Sequence, residues 1–155
     1  MPNRLSIFIL ATLFVTSHAE LASAQQKPNP VLKPPVLYSY WGNTKSGSIS
    51  LDMALQLIDS AVWVISDKKE KMRISRFFLL YKSLDKYEDE KTGAIKQRFN
   101  TNGVQVRNDN TLTEKWRKSI YENLKKGDEI LITDLYVRDN KGEYYMAPDI
   151  LLTIK

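Results

Sequence analysis

The chain of 155 residues contains no cysteine and only one histidine, His18. Without a thiol, it has no disulfide, no thiolate nucleophile, no cysteine-ligated zinc and no lipid-modified N-terminal cysteine. Glycine and proline are also scarce, at six residues each. The rest of the composition, 43% hydrophobic and 26% charged, is that of an ordinary globular domain.

The N-terminal segment has the three regions of a secretory signal peptide. Arg4 supplies a positive charge, residues 7–15 form an apolar core, and Ala22-Ser23-Ala24 is a small-residue cleavage site before Gln25. The apolar core has nine residues, whereas a helix needs roughly 20 to span a bilayer. We therefore expect residues 1–24 to be removed and the product to be exported, to the periplasm or the cell surface, without a transmembrane segment.

Export would leave a mature chain with neither cysteine nor histidine, because His18 lies in the signal peptide. Imidazole general bases, Ser/His/Asp triads and histidine-ligated metals are then excluded. Residues 25–35 hold four of the six prolines and predict a stiff, extended linker. Residues 36–155 remain as one domain, large enough to bury a core without disulfides.

Two segments rich in β-branched and aromatic residues, 61–66 and 73–82, predict strands separated by a charged turn. Residues 94–101 predict a third strand. Asn102-Gly103 is expected to form a tight turn before a short strand at residues 104–106. These segments place most of the domain in β-structure.

Two short helices are expected. Ser50 can cap the first, which presents Leu51, Leu55 and Ile58 on one face. Thr111 and Glu114 have the spacing of a capping box for the second, and Gly127 ends it. The second helix carries an apolar stripe, formed by Leu112, Trp116, Ile120 and Leu124.

The C-terminal sequence predicts a long hairpin of residues 129–138 and 143–155 around a turn at 139–142. Pro148 interrupts its second strand, which indicates a bulge or a sheet edge. Alternation predicts one shared face for Tyr144, Met146, Ile150, Leu152 and Ile154. Together, the elements predict a mainly β fold, an Ig-like β-sandwich with two short helices; the alternative is a small α+β domain.

Three short motifs resemble parts of a catalytic site, but none lies in the structural context that the chemistry requires. Ser66-x-x-Lys69, Ser83-x-x-Lys86 and Lys91-Thr92-Gly93 match elements of penicillin-binding enzymes, but those enzymes place the serine at the start of a helix. Here both serines border predicted strands, and the domain is too small for that active site. The sequence therefore predicts no enzyme.

Charged residues give no metal, cofactor or nucleic-acid signature. Glu88-Asp89-Glu90 is expected at a solvated hairpin tip and lacks the spacing of a calcium loop. The net charge is +5, but the basic residues do not form a nucleic-acid module. A basic surface on an exported protein suits acidic lipid headgroups or polysaccharide.

A family resemblance runs through roughly residues 45–155. Thr111-Leu112-Thr113 before a helix, Gly127-Asp128 after it, and the strands at 130–135 and 142–154 resemble the GldM C-terminal domain. That is the last periplasmic domain of a gliding-motility and type IX secretion motor protein. The resemblance implies an Ig-like, non-enzymatic domain that works through protein contacts. The motor protein has a membrane helix and several domains, whereas we expect one domain behind a cleavable signal peptide here.

The leading hypothesis is an exported protein-interaction domain, accessory to type IX secretion, gliding or envelope assembly. Its partner would be an envelope or periplasmic protein that adds a strand beside Pro148 and contacts Tyr145, Asp149 and Lys155 on the non-core face. The alternative is a small carbohydrate- or ligand-binding sandwich, motivated by the tyrosines of the last hairpin and those near Trp41. We expect the other two tryptophans, Trp63 and Trp116, in the core.

Overall fold

The computed structural model describes residues 33–155, which form eight strands and two short helices. The strands are β1 Leu37–Trp41, β2 Gly47–Ile49, β3 Val62–Ser66, β4 Lys71–Glu88, β5 Ile95–Arg107, β6 Glu129–Arg138, β7 Tyr144–Met146 and β8 Ile150–Ile154. The helices are α1 Leu51–Leu57 and α2 Glu114–Asn123. The predicted mainly β fold with two short helices is confirmed. The signal peptide and residues 25–32 of the linker lie outside the described residues and stay predictions.

The strands form one curled, open sheet in the order β1-β3-β4-β6-β8-β2, while β5 pairs with β4 and β7 pairs with β6. All neighbours are antiparallel except β2 and β8, which run parallel. The sheet curls far enough that β1 contacts β8. Its inner face encloses the core, and its outer face is turned away from it.

The core follows from strand alternation and the apolar faces of the helices. On β6, Ile130 and Ile132 are completely buried, and Ile120 of α2 packs into the same cluster. Trp41 is 1% exposed, and its indole nitrogen donates to the Ser60 carbonyl at 3.0 Å. It is therefore a core residue and is not itself available to the ligand-binding alternative, which drew on the tyrosines near it.

The first helix was predicted correctly, whereas the second ends earlier than predicted. Ser50 caps α1, and its hydroxyl accepts a hydrogen bond from the Met53 backbone nitrogen at 3.2 Å. Gly127 has the predicted positive φ, at +94°, but α2 ends at Asn123 with Leu124 as an extended C-cap, and the Gly127 nitrogen donates to the Ile154 carbonyl at 2.8 Å. The apolar stripe of α2 is largely confirmed, since Leu112, Ile120 and Leu124 are buried and Trp116 is partly buried.

The start of α2 differs from its prediction. The N-cap is Thr113, and no side chain caps the helix. Thr111 instead donates to the Asp109 carboxylate, through its backbone nitrogen and its hydroxyl, both at 3.1 Å. The capping box is wrong because Asp109 uses Thr111 to close the preceding turn.

Asn102-Gly103 does not form a turn. Both residues lie in the middle of β5, where Asn102 pairs with Tyr81 and Gly103 with Leu80. A Cβ on Gly103 would lie 2.6 Å from Leu80 Cδ2 and 3.0 Å from the Leu79 carbonyl oxygen. Glycine is therefore needed here because β4 and β5 approach each other closely. From sequence alone, an Asn-Gly pair with this role looks the same as one that forms a hairpin turn.

A buried carboxylate fixes the place where β4 leaves the sheet. Asp128 is completely buried and accepts from the Leu84 nitrogen at 2.8 Å, the Lys125 nitrogen at 3.0 Å and the Tyr81 hydroxyl at 2.7 Å. Burial, reinforced by Asp128, raises the pKa of Tyr81 far above its usual value. Pairing between β4 and β6 ends at Lys82, so the rest of β4 is paired only with β5.

Candidate interaction surface

Four arginines meet on the outer face of the sheet, at the end opposite the β4–β5 turn. Each adjoins a buried residue on its own strand, so alternation directs it away from the core. Two cross-strand pairs bring them together: Arg73 lies directly opposite Arg138, and Arg76 directly opposite Arg107. We call these four residues the arginine cluster.

Two irregularities in the pairing of β4 with β6 build this cluster. The register passes from Ile74 opposite Val137 to Arg76 opposite Tyr136, and so leaves one extra residue on β4. The next shift leaves an extra residue on β6, where Asp134 has a φ of +49°. The second shift compensates the first, and Arg76 reaches the outer face beside Tyr136.

Aromatic rings and an amide hold the guanidinium groups against the sheet. The Arg76 guanidinium lies 4.3 Å from the centroid of the Tyr136 ring, and that of Arg138 lies 5.9 Å from the Tyr144 ring. Arg107 donates through Nε to the side-chain oxygen of Gln105 at 2.6 Å. Cation–π contact and hydrogen bonding thus order three of the four arginine side chains and leave their charge unneutralised.

No member of the arginine cluster forms an ion pair with the residues that the structure describes. The ion pairs within residues 33–155 all involve other cations. Asp149 accepts from the Thr133 hydroxyl at 3.0 Å instead of meeting an arginine. Like charges directly opposite each other in a sheet are destabilising, so two such pairs lower the stability of the fold.

Exposed apolar side chains surround the cluster. Tyr144 is 60% and Met146 is 66% exposed, and both face the same way as the arginines because they pair with Arg138 and Tyr136. One further row on the outer face contains three leucines in register, Leu80, Leu131 and Leu151, with Gly103 of β5 opposite Leu80. Arginine, tyrosine and methionine are the types enriched in protein–protein interfaces.

β5 supplies a long free edge beside this face. Asn108 donates to the Ser75 carbonyl at 2.8 Å and Asp89 to the Ala94 carbonyl at 2.9 Å. With the register, these bonds fix the phase: even-numbered residues of β5 bond to β4, while odd-numbered ones direct their N–H and C=O groups outward. Within residues 33–155, no strand pairs with that outer edge.

Tyr145 does not lie where alternation placed it. It is half-buried, packs against the core and donates its hydroxyl to Asp139 Oδ2 at 3.4 Å, while Tyr144 points outward. Burial of Ala147 and the interruption at Pro148 shift the phase between β7 and β8. The predicted shared face therefore splits: Ile150, Leu152 and Ile154 are buried, whereas Tyr144 and Met146 are exposed.

The other two predicted contact residues, Asp149 and Lys155, are both exposed. The strand between them, β8, is not a free edge, however, because β2 pairs with it from Leu152 to Ile154. The Lys155 backbone nitrogen likewise donates to the Ile49 carbonyl at 2.9 Å. Pro148 does interrupt the strand as predicted, but strand addition along β8 is blocked by β2.

The acidic tripeptide lies at the β4–β5 turn, as predicted. Asp89 accepts from the backbone nitrogens of Lys91 and Thr92, both at 3.1 Å, and from the Lys96 ammonium. The bond from Lys96, followed by those from Thr92 and Lys91, holds the pKa of Asp89 below its usual value. Asp89 therefore serves to close the turn.

An open cleft of about 400 Å³ lies between β3, the start of β4 and the turn before α2. Its polar lining includes Asn108, Asn110 and Asn140, and Trp63 forms part of its wall. Trp63 is not a core residue as predicted: it is half-buried and stacks on Tyr40, with ring centroids 4.2 Å apart. The cleft thus offers amides beside an aromatic pair.

No protein-family model and no curated protein matches the chain. Within residues 33–155, no three acidic or histidine side chains cluster in a way that could hold a metal ion. Among the helices that the structure describes, none is both long and apolar enough to cross a membrane. The most distinctive surface of the described residues is the free edge of β5, which lies beside a positively charged, partly apolar face of the sheet.

Proposed function

We propose that this protein is an exported, non-enzymatic interaction domain that captures an envelope or periplasmic protein by strand addition at β5. The observation that carries the proposal is the outer edge of β5. Its odd-numbered residues present a continuous row of backbone donors and acceptors that an incoming strand would satisfy. The proposed binding edge is therefore β5 and not the last strand, whose edge is already paired with β2.

The edge is suited to a partner rather than to a second copy. β5 has 13 residues, contains no proline, and carries Lys96, Arg98 and Arg107 with no acidic residue. Natural sheets use such charges to discourage pairing between like edges. Two copies of β5 would bring positive charges together, whereas a neutral or acidic strand would not.

The expected export and the resemblance to the GldM C-terminal domain support a partner in the cell envelope, with a role accessory to type IX secretion, gliding or envelope assembly. The signal-peptide features of residues 1–24 support export. Mass spectrometry of the native protein should find Gln25 as the N-terminal residue. Recovery of an intact N-terminus would contradict export by this route.

A proline substitution tests the edge without touching the β4–β5 ladder. Thr101 directs its N–H outward, so Thr101→Pro removes one outward donor while the bonds to β4 remain. Cross-linking and pull-down from envelope fractions should lose the partner with Thr101→Pro and retain it with the matched control Thr101→Val. Equal capture by a folded Thr101→Pro variant would move the interface off β5.

Carbohydrate binding is the second candidate, favoured by the Tyr40–Trp63 stack at the asparagine-lined cleft. Aromatic faces and amide groups are suitable contacts for sugar rings and hydroxyls. Titration with chitin and polyuronate oligosaccharides should then change tryptophan fluorescence, and Trp63→Ala should abolish binding while Thr101→Pro leaves it intact. No response to either oligosaccharide class would reject this candidate.

A further inference from the structure

We infer that the arginine cluster and the β5 edge form one binding surface whose occupant is an acidic, extended segment of a partner protein. The inference rests on the proposed function and deepens it, because it names the chemistry of the segment that β5 would capture. It draws on two observations that are independent of the free edge: unneutralised guanidinium groups and their position in the register.

The register connects the edge to the cluster. Gln105 and Arg107 are odd-numbered, so their backbone groups point outward from β5. In paired strands, directly opposite residues place their side chains on the same face. A residue of the incoming strand opposite Arg107 would therefore lie on the outer face, next to the cluster.

The electrostatics specify what that residue carries. Arg107 already faces Arg76, and Arg73 faces Arg138, with no carboxylate among residues 33–155 within ion-pair distance of any of the four. An incoming carboxylate would turn a repulsive pair into a favourable triad and could accept two parallel guanidinium hydrogen bonds. The cluster thus lowers the stability of the free domain and favours the bound state.

The surroundings favour a protein segment over a polysaccharide or a lipid surface. Phe99 is 45% exposed on β5, and it is odd-numbered like Arg107, so both side chains share the outer face. The segment would therefore meet an arginine at one end and an aromatic ring eight residues further along. Only a polypeptide strand also satisfies the outward backbone groups between these two positions.

The test uses a short acetylated peptide in which Glu and Thr alternate, and a matched peptide in which Gln replaces Glu. Binding is measured by fluorescence anisotropy at low and at physiological salt. The variant is Arg76→Gln combined with Arg107→Gln, which removes a repulsive pair and is therefore expected to fold. The control, Lys115→Gln combined with Lys126→Gln, removes the same charge from two exposed positions, one within α2 and one shortly after it.

We expect the Glu peptide to bind more tightly than the Gln peptide, and binding to weaken at least about tenfold in the arginine variant but not in the lysine control. Raising the salt concentration should weaken binding of the Glu peptide more than binding of the Gln peptide. Equal binding of both peptides, equal loss in both variants, or no binding to the wild-type protein would overturn the inference. So would arginine-dependent binding of heparin or phosphatidylglycerol vesicles without binding of the peptide.

Thr101→Pro separates this inference from the proposed function. If that substitution abolishes partner capture while the arginine variant captures normally, strand addition stands and the acidic occupant is wrong. If Glu-peptide binding needs the arginines but not the Thr101 N–H, the segment docks on the face without joining the sheet and strand addition fails. Sedimentation of the wild-type protein must find a monomer, since a dimer lost in the arginine variant would make a second copy the occupant.

Discussion

Arg107 illustrates, at the scale of one residue, how the proposed binding surface opposes stability. It lies directly opposite Arg76, with no carboxylate of residues 33–155 within ion-pair distance. Arg107→Glu should therefore raise the free energy of unfolding by about 0.5–1 kcal/mol, because a like-charge pair becomes an opposite-charge pair. Urea unfolding measures the change, and Arg107→Gln should give a smaller gain. A variant less stable than wild type would mean that the two side chains do not repel.

Gly127 gives a second residue-scale prediction. Its φ is +94°, and an added Cβ would lie 2.8 Å from Leu84 Cδ2. Gly127→Ala should lower the free energy of unfolding by about 1–2 kcal/mol, from backbone strain and the steric contact together. Gly142→Ala is the matched control, since its φ is +92° and nothing lies within 4 Å of the added Cβ. Equal losses in both variants would leave no role for the contact with Leu84.

Local signals in the sequence predict single residues well only where the interaction is itself local. The Ser50 cap depends on a neighbour three residues away, and that prediction is confirmed. Gly127 has the predicted positive φ, but it is not the helix cap, and its nitrogen donates to the distant Ile154 carbonyl. Thr111 was misassigned because Asp109 competes for it, and Tyr145 because the phase changes at Pro148. The first outcome is a competition between local hydrogen bonds, whereas the second depends on how β7 packs against the core.

At the scale of elements, the phase of β5 gives a sharp prediction. Asn102 is even-numbered and its N–H bonds to β4, whereas that of Thr101 points outward. Asn102→Pro should lower the free energy of unfolding by about 1–3 kcal/mol, because it removes a ladder hydrogen bond and leaves a β4 carbonyl without its donor, while Thr101→Pro should cost far less. Thermal unfolding of the two variants measures the difference. A larger loss in Thr101→Pro than in Asn102→Pro would mean that the odd-numbered residues of β5, and not the even-numbered ones, bond to β4.

Short and irregular elements escaped prediction for a physical reason. β2 has three residues, Gly47–Ile49, and pairs in parallel with β8, about a hundred residues further along the chain. Three residues are too few to show the period-two alternation from which a strand is predicted. The shifts that build the arginine cluster are likewise absent from sequence patterns, although strands β4 and β6 themselves were predicted.

At the scale of the whole molecule, β4 and β5 extend beyond the sheet as a two-stranded ribbon. Pairing with β6 stops at Lys82, and Asp128 binds the backbone at Leu84. From there to the turn, the ribbon carries exposed Tyr87, Ile95 and Phe99. The core and the arginine cluster therefore lie at one end of the ribbon, and the acidic turn lies at the other.

Shortening the ribbon tests this separation. Asp85 and Arg98 are directly opposite, and the phase makes them a hydrogen-bonded pair, so an Asn-Gly turn can join them in place of residues 86–97. The removed segment includes Tyr87 and Ile95, which are 40% and 66% exposed, and it contributes no core residue. We expect the free energy of unfolding to change by less than about 1 kcal/mol.

The shortened chain should also bind the Glu-containing peptide as the full-length protein does, since all four arginines and the odd-numbered residues from Phe99 to Arg107 remain. Urea unfolding and anisotropy measure the two properties on the same sample. The full-length Arg76→Gln/Arg107→Gln variant is the comparison, because it is expected to remain folded and to lose peptide binding. Loss of peptide binding in a folded, shortened chain would assign the acidic segment to the ribbon tip and not to the arginine cluster.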